Sequence, residues 1–437
     1  MRRSVTPEPT SARAPGRRRI AYFVNCFPNF IEAMIYREVM ALRAAGYDLS
    51  TVSIRRPASA VIPAEAMGLA RETTYILPTK LRRLIAAHVT AVVRWPIRYF
   101  QVLWEVVSGT HERPTDRIRS LCHFAEAIVV LPTIERLGVD HLHAHWAVGA
   151  TTCAMVVARF LRIPFSFTAH AYDIWRERLM LPEKLRAAER VVTCTGYNRA
   201  HLVETYGIPA AKVQVVYHGL DAKLFRVVGR ERGPRPVILS VGRLVEQKGY
   251  EDLLRACAVL VRRGVRFECE IIGEGPLRPT LEKLVSELGL EDAVRLPGRI
   301  VGDTLRDRYA RADMFALLCV EASDGDRDGI PNTLVEAMAM ELPVVSTRYS
   351  GVPELVDDGT SGVLVAPGGV AAAAEALRRL LADPALSARM GRAGRHRVLR
   401  DFSLEASVAA LDRIFRADEA AATDEVSAAR AGGASRR

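Results

Sequence analysis

The feature that most constrains this chain is a repeated alternation between short apolar runs and longer segments whose apolar residues recur at helical spacing. The run at residues 20–25 precedes a helical segment that stops at Gly46, and a β-branched run follows at residues 47–54. Such a unit predicts a strand, a helix and a second, parallel strand. The alternation continues to about residue 217 and starts again after residue 236. The sequence therefore predicts an α/β protein with two doubly wound, Rossmann-like sheets facing a cleft.

The domain boundaries follow from changes in composition along the 437 residues. The basic start and the Ala-, Gly- and Arg-rich end are typical of disordered tails, and a polar stretch with Gly and Pro is typical of a linker. Ligands of open α/β sheets bind at the carboxyl ends of strands, so the site is expected between the two sheets. We predict a basic tail (1–19), a first domain (20–226), a linker (227–236), a second domain (237–400), a terminal helix (401–416) and a second tail (417–437).

Composition limits the class of protein and its compartment. Hydrophobic residues make up 49% and charged residues 25% of the chain, which excludes a largely disordered or fibrous protein. The seven cysteines form no CxxC pair and mostly lie in apolar runs, as expected of reduced cysteines in a cytoplasmic protein. The N-terminal segment is not followed by an apolar run suited to a signal peptide.

A formal net charge of +11 implies an anionic partner. A nucleic-acid-binding protein is one alternative, but no stacking aromatic residues accompany the tail arginines and no recognised module is present, so no nucleic acid is expected. The segment from Thr79 to Trp104 has five basic residues, four large aromatic residues and no acid. It fits either a helix in a membrane interface or helices packed on the core with arginines in solvent. A peripheral location on the inner face of the membrane remains open at this point.

A cationic loop follows the first strand of the second domain. Gly242 allows close approach of a ligand to the backbone, and Arg243 and Lys248 lie on the loop before the next helix. A guanidinium and an ammonium suit a diphosphate whose charge grows as its bond to a sugar breaks. The alternative is a pair of solvated loop cations.

An acidic loop precedes a later helix of the same domain. Asp328 is followed by Gly329, Ile330, Pro331 and Asn332, where a helix is expected to begin, and Glu336 lies about one turn further on. Free N–H groups at a helix start attract phosphate, and flanking carboxylates can bind sugar hydroxyls. The alternative is a surface turn before a well-capped helix. The acidic residues lack the regular ligands of a calcium loop.

Histidines mark the expected strand ends of the first domain. His170 follows a predicted strand and could bind a substrate hydroxyl, although buried structural histidines are commoner. His143 and His145 share one face of a strand, but no neighbouring acid or cysteine completes a set of metal ligands, so no metal is expected. The stretch from Gly273 to Pro276 is a glycine turn at another strand end.

In this order, the stretches VGRLVEQKG, IGEGP, GIPNTLVEAMA, PVVST and GVPELVDDGTSGVLV resemble the nucleotide-sugar half of family-four retaining glycosyltransferases, which have the GT-B fold. The stretches FPNFIEAMIYREVMALRAAG, LHAHWA and FTAHAYDIW resemble the acceptor lobe of the branch that builds exopolysaccharides, including colanic-acid-type enzymes.

The resemblance implies transfer of a sugar from a nucleotide diphosphate donor to a hydroxyl of a glycan or lipid-linked acceptor. It also implies that the anomeric configuration is retained and that no obligatory metal and no cofactor take part. The leaving phosphate is expected to depart from the front side of the sugar. A nucleotide-sugar epimerase or phosphorylase of the same two-lobed fold is the alternative. The resemblance assigns the diphosphate to Arg243 and Lys248, the ribose to Glu336, the donor sugar to Asp328 and His170, and the base to Gly273, Glu274, Gly275 and Arg299. It places Gly242, Gly329, Ile330, Pro331, Asn332, Ser350, Gly351 and Val352 along the donor, and Glu32 and His145 on the acceptor side.

Three departures from the family pattern have structural consequences. Asp328 stands where the family usually has Glu, so its contact with the sugar is expected to change. Glu341 stands where a Gly usually ends the helix, and a left-handed cap without Gly costs about 1 kcal/mol, so a differently built turn is expected. Ile31 and Ala33 replace two hydroxyl residues on either side of Glu32.

Overall fold

The computed structural model describes residues 18–29, 32–225, 227 and 233–416. Both predicted tails, apart from Arg18 and Arg19, and half of the predicted linker therefore lie outside the described residues. Arg19 is the first residue of the first strand rather than part of the tail.

The first lobe is built on a seven-stranded sheet whose paired strands are all parallel, in the order β3-β2-β1-β4-β5-β6-β7. Its central strands are buried on both faces, as expected of a parallel sheet covered by helices. The strands are β1 (Arg19–Cys26), β2 (Asp48–Arg55), β3 (Thr74–Leu77), β4 (His141–His145), β5 (Phe165–Ala169), β6 (Arg190–Thr193) and β7 (Val213–Val215).

The second lobe is built on a six-stranded parallel sheet in the order β10-β9-β8-β11-β12-β13. Its order reverses next to β8, which is where a doubly wound sheet opens a crevice for ligands. The strands are β8 (Val237–Val241), β9 (Glu268–Ile272), β10 (Val294–Gly298), β11 (Met314–Leu317), β12 (Val344–Thr347) and β13 (Gly362–Val365). The predicted pair of doubly wound sheets is confirmed.

The helices connect successive strands and cover the faces of both sheets. In the first lobe they are α1 (Ala33–Ala44), α2 (Met67–Glu72), α3 (Leu81–Arg94), α4 (Pro96–Ser108), α5 (Pro114–Leu137), α6 (Gly149–Leu161), α7 (Ala171–Trp175), α8 (Leu181–Ala187) and α9 (Gly196–Tyr206). In the second they are α10 (Tyr250–Arg262), α11 (Arg278–Glu287), α12 (Gly302–Arg311), α13 (Asn332–Ala339), α14 (Val352–Leu355), α15 (Val370–Ala382) and α16 (Pro384–Asp401). Residues 404–416 form a last helix, α17.

The last helix returns to the first lobe. Leu411, Ile414 and Phe415 of α17 are buried in one apolar cluster with Ile20 and Tyr22 of β1. The predicted terminal helix is therefore part of the core of the first lobe, although it follows the second lobe in the chain.

The turn after α13 differs from the expectation. Glu341 adopts a left-handed conformation with a φ of 56°. The backbone N–H of Leu342 donates to the carbonyl of Ala337 at 3.0 Å, as in a left-handed helix cap. The expectation of a differently built turn is wrong, because the usual geometry is kept without glycine.

Candidate functional site

A cavity of about 780 Å³ lies between the lobes at the carboxyl ends of their strands. Residues from both sheets line it, so neither lobe forms the site alone. The lining residues of the first lobe include Asn25, Glu32, Trp146, His170, Tyr172, Arg176, Cys194 and His218, and those of the second include Arg243, Gln247, Lys248, Asp326, Arg327, Asp328, Gly329, Ile330, Pro331 and Asn332.

The two predicted cations both reach this cavity. Arg243 is exposed within it, whereas the Lys248 ammonium lies 2.8 Å from the Asp328 carboxylate. Lys248 ends a single 3₁₀ turn, and Gly249 then takes a φ of 64°. A Cβ on Gly249 would lie 1.8 Å from the Leu318 carbonyl oxygen, so only glycine fits between this turn and the strand end.

The acidic loop and the start of α13 form the cavity wall beside Lys248. The side-chain amide of Gln247 donates to the Asp326 carboxylate at 2.9 Å, and burial raises the pKa of Asp326. The residues from Gly329 to Thr333 also line the cavity, and α13 begins at Asn332. The first N–H groups of this eight-residue helix therefore lie beside the cations, as expected of an anion-binding wall.

His170 faces the cavity from the first lobe, directly after β5. It is 4% exposed, and the Trp146 ring stacks on it with 4.1 Å between ring centroids. Burial, then the nearby His218, keeps its pKa well below the usual range, so the ring is neutral. Among the described residues, Nε2 of His170 has no hydrogen-bond partner, which leaves it able to bind a ligand oxygen.

A buried pair of opposite charges holds the loops that carry Trp146 and His170. The Asp173 carboxylate accepts from the backbone N–H of Ala147 and, at 2.7 Å, from that of His170. The Lys184 Nζ donates to the carbonyls of Ala147, Val148 and Leu179, at 2.8, 2.9 and 2.6 Å. Burial raises the pKa of Asp173 and lowers that of Lys184. Three acceptors match the three N–H bonds of an ammonium, so we assign the charged form to Lys184.

Contacts across the lobes fix the cavity on one side. Glu354 of α14 accepts from the backbone N–H groups of Gly196 and Tyr197, at 2.7 and 2.8 Å, where α9 begins. The Arg327 guanidinium lies 3.9 Å from the Trp175 ring centroid and donates to the Tyr197 hydroxyl at 3.0 Å. These contacts join the loop that carries Asp328 to the first lobe.

Two family profiles match adjoining parts of the chain. The one described as Glycosyltransferase Family 4 matches residues 31–224, and the one described as Glycosyl transferases group 1 matches residues 221–397. Between them they span nearly all the residues that line the cavity. This chain belongs to glycosyltransferase family four.

Similar curated proteins are also named glycosyltransferases. The amylovoran biosynthesis glycosyltransferase AmsK of Erwinia amylovora is 28% identical over 389 residues, which cover 83% of this chain and 90% of the relative. The putative colanic acid biosynthesis glycosyltransferase WcaL of Salmonella typhimurium is 28% identical over 356 residues, covering 79% and 86%.

Solved structures with low sequence identity share the fold. A glycosyltransferase from Rickettsia africae superposes with a TM-score of 0.69 at 17% identity, covering 91% of this chain and 98% of that one. Sucrose-phosphate synthase from Thermosynechococcus elongatus gives 0.67 at 20% identity, covering 93% and 100%. Anabaena HepE in complex with UDP and glucose gives 0.66 at 16% identity, covering 92% and 100%. The transferase therefore has the GT-B fold.

The predicted glycines of the second lobe have a structural reason that the sequence did not reveal. A Cβ on Gly273 would lie 1.8 Å from the carbonyl oxygen of Gly242, and one on Gly275 would lie 2.4 Å from that of Leu244. These glycines let the loops after β8 and β9 pack backbone to backbone. Neither Gly273 nor Gly275 lines the cavity of the transferase.

Several other predicted donor residues also lie outside the cavity lining. The Glu274 carboxylate pairs with Arg278 at 2.8 Å, and Arg299 is exposed just after β10. The backbone N–H of Gly351 donates to the Gly329 carbonyl at 3.2 Å, which ties the segment of Ser350, Gly351 and Val352 to the acidic loop. Gly242, which precedes Arg243, also lies outside the lining.

Glu336 is half-buried in the second lobe and does not line the cavity. Its carboxylate accepts from the Tyr309 hydroxyl at 2.8 Å, and burial raises its pKa to about 7. The predicted contact between Glu336 and a ribose stays a prediction, and it would require the ribose to reach beyond the cavity described above.

The two predicted acceptor-side residues differ in their placement. Glu32 lines the cavity, and Asn29 donates to it at 3.1 Å. His145 is 2% exposed and lines a much smaller internal cavity instead, so its placement on the acceptor surface is corrected. Its Nε2 lies 3.0 Å from the carboxylate of Glu38 on α1. The sequence pattern did not predict an acid beside these histidines.

Sequence reasoning missed several lining residues of the transferase. Trp146, Cys194 and His218 each follow a strand of the first sheet, and Asn25 lies near the end of β1. The rule that carboxyl ends of parallel strands meet at one edge would have found them once the strands were placed.

Proposed function

We propose that this transferase moves a sugar from a nucleoside diphosphate donor to an acceptor hydroxyl during synthesis of a cell-surface polysaccharide. The observation that carries the proposal is the meeting of Arg243, Lys248 and the start of α13 with His170 across one cavity. The named functions of relatives in amylovoran and colanic acid biosynthesis support the acceptor class. The complex of a structural neighbour with UDP and glucose supports the donor class.

The cations and the helix start would stabilise the diphosphate as it leaves. Charge grows on its oxygens as the sugar bond breaks, and fixed donors aimed at that charge lower the barrier. Lys248 pairs with Asp328 in this structure, so diphosphate binding would share or replace that ion pair. Asp328 would then be free to accept from a hydroxyl of the sugar.

His170 would contact the donor sugar through Nε2, which has no partner among the described residues. Its neutral ring suits a hydrogen bond to a hydroxyl better than a charge interaction. We propose retention of anomeric configuration with front-side departure, in which the leaving phosphate helps to deprotonate the acceptor. The roles of the protein in this scheme are positional and electrostatic, and the scheme uses no metal.

Thermal shift with UDP or GDP tests the donor site. A nucleoside diphosphate should raise the melting temperature in EDTA as much as in Mg²⁺, and Lys248→Ala should abolish the rise. Lys283→Ala, which removes an exposed lysine of α11, should leave the rise unchanged. An equal rise in the Lys248 variant would reject the site.

Product analysis tests the chemistry. With an acceptor glycan, NMR of the new linkage should give the anomeric configuration of the donor. Inverted product, or loss of all activity in EDTA, would reject the proposed scheme. Turnover of the donor without any acceptor would favour an epimerase or a phosphorylase.

We propose that the transferase works at the cytoplasmic membrane surface, docked to anionic lipid through α3 and α4. Seven large apolar side chains on these helices are 54–77% exposed: Leu81, Ile85, Val89, Val93, Ile97, Phe100 and Trp104. The exposed Lys80, Arg82 and Arg83 lie where α3 begins. An apolar stripe beside cations is typical of a helix in an anionic interface. None of the described helices is long and apolar enough to span a bilayer.

Vesicle pelleting tests the docking surface. The protein should pellet with phosphatidylglycerol vesicles and not with phosphatidylcholine vesicles. Ile97→Ser with Trp104→Ser should release it, and Arg82→Gln with Arg83→Gln should weaken pelleting. Arg94 is a poorer probe because it pairs with Glu135 at 2.6 Å. Unchanged pelleting of both double variants, or a dimer that the serine variant dissociates in solution, would contradict the lipid assignment.

A further inference from the structure

Three potential metal ligands meet at the floor of the cavity. His170, Cys194 and His218 follow the adjacent strands β5, β6 and β7, and one ligand atom from each lies within 4.8 Å of the other two. His170 is 4% and Cys194 is 7% exposed. The sheet thus brings together a set that is scattered over 49 positions of the sequence, from 170 to 218.

Both histidines of this set have an unpaired buried ring nitrogen, whereas in two similar clusters of the described residues only His145 has one, at Nδ1. In the cluster of Glu38, His143 and His145, both nitrogens of His143 already lie within hydrogen-bond distance of Ser166 and Thr168. In the cluster of His123, Glu126 and Cys153, the His123 Nδ1 lies 2.7 Å from the carboxylate. By contrast, Nε2 of His170 and Nε2 of His218 have no hydrogen-bond partner among the described residues. Unpaired buried polar atoms are rare in folded proteins, and a bound ion is one of the explanations for them.

We propose that His170, Cys194 and His218 bind one Zn²⁺ ion and that the ion inhibits the transferase. Imidazole nitrogen and thiolate sulfur are both zinc ligands, three protein ligands are typical of an open zinc site, and the cavity leaves room for water as the fourth ligand. The inhibitory half rests on the proposed function, because a metal on Nε2 would withhold His170 from the donor sugar. The binding half does not depend on it.

Binding of the ion couples to the protonation of its three ligands. Burial lowers the pKa of both histidines, so both are neutral and have a lone pair to donate. Burial raises the pKa of Cys194 to about 12, so loss of the thiol proton opposes binding near neutral pH and binding should strengthen as the pH rises. Binding then forms the S–Zn bond, breaks the S–H bond and releases one proton to water.

Metal titration of the full chain after EDTA treatment tests the binding. Competition of Zn²⁺ with a chromophoric chelator should give one tight site, and Co²⁺ should give the visible absorption of a tetrahedral thiolate complex. Cys194→Ser should weaken Zn²⁺ binding at least tenfold and remove the thiolate band. Cys153→Ser is the matched control, because it removes a buried cysteine of a hydrogen-bonded cluster, and it should change neither.

The outcomes separate the two halves of the proposal. If Cys194→Ser does not fold, His218→Gln measures the same loss of affinity. Failure to bind Zn²⁺, or equal binding by wild type and both site variants, overturns the site whether or not the transferase is active. One equivalent of bound Zn²⁺ with unchanged turnover overturns the inhibition alone, and recovery of turnover after EDTA supports it.

Discussion

The two lobes build their halves of the cavity in different ways. In the second lobe, glycines allow the loops after β8 and β9 to pack backbone to backbone, so short motifs set the positions of the binding groups. In the first lobe, bulky side chains follow the strands, and the buried Asp173 and Lys184 hold a loop at Ala147 that is distant from them in sequence. The second lobe therefore depends on small residues within motifs, whereas the first depends on polar partners that only the fold brings together.

The largest effect is expected at the buried lysine of the first lobe. Lys184→Met leaves the Asp173 carboxylate and three carbonyls without their cation, so the free energy of unfolding should fall by about 3–5 kcal/mol. Urea unfolding measures the change. Adding Asp173→Asn should restore part of the loss, because the uncompensated charge is then removed as well. A loss below about 1 kcal/mol in the single variant would show that the loops are held in another way.

A smaller effect is expected at the packed loops of the second lobe. Gly273→Ala forces apart the loops that follow β8 and β9 and should cost about 1–3 kcal/mol. The same substitution should weaken binding of a nucleoside diphosphate, because Arg243 lies on the displaced loop. Gly68→Ala in α2 is the control, since a Cβ there meets nothing within 4 Å. Equal stability of the two variants would remove the steric reason for glycine.

Glu336 tests whether a half-buried polar group in the second lobe also depends on a distant partner. Its pKa is raised by burial from 4.5 to about 7, so the folded state holds the proton more tightly than the unfolded state. This contribution to stability is fully present below pH 4.5 and is lost as the pH rises through 7, with a slope of at most about 1.4 kcal/mol per pH unit.

Glu336→Gln should remove this slope, because the amide oxygen can still accept from Tyr309 and does not titrate. Unfolding followed as a function of pH provides the comparison. Glu287→Gln, which neutralises an exposed carboxylate of α11, should keep the slope of the wild type. Parallel pH profiles for wild type and Glu336→Gln would refute the raised pKa.

The smallest effect is expected where the lobes meet. Glu354→Gln weakens the contact with the first N–H groups of α9 and should cost about 0.5–1 kcal/mol. Thermal unfolding provides the measurement, with exposed Glu405→Gln as the control. A loss as large as that of Lys184→Met would mean that the lobe contact, and not each lobe separately, carries the stability of the cavity.

Much of this molecule could be predicted from local pattern. The alternation of apolar runs predicted both sheets, and the motif around Arg243 and Lys248 predicted two residues of the cavity wall. The positions of Glu336 and His145 could not be predicted in the same way, because each depends on a long-range partner, Tyr309 and Glu38 respectively. The glycines illustrate a further limit: the sequence shows that a small residue is needed, but not whether a ligand or the protein's own backbone comes close.

The return of α17 to the first lobe has a consequence for how the molecule is made. Apolar side chains of β1 are fully covered only when Leu411 and Phe415 of α17 pack against them. During synthesis the first lobe cannot complete this apolar cluster until the residues of α17 have left the ribosome. The first lobe therefore completes its apolar packing only after the second lobe has been synthesised. A fragment that ends between the lobes would expose the apolar side chains that α17 covers.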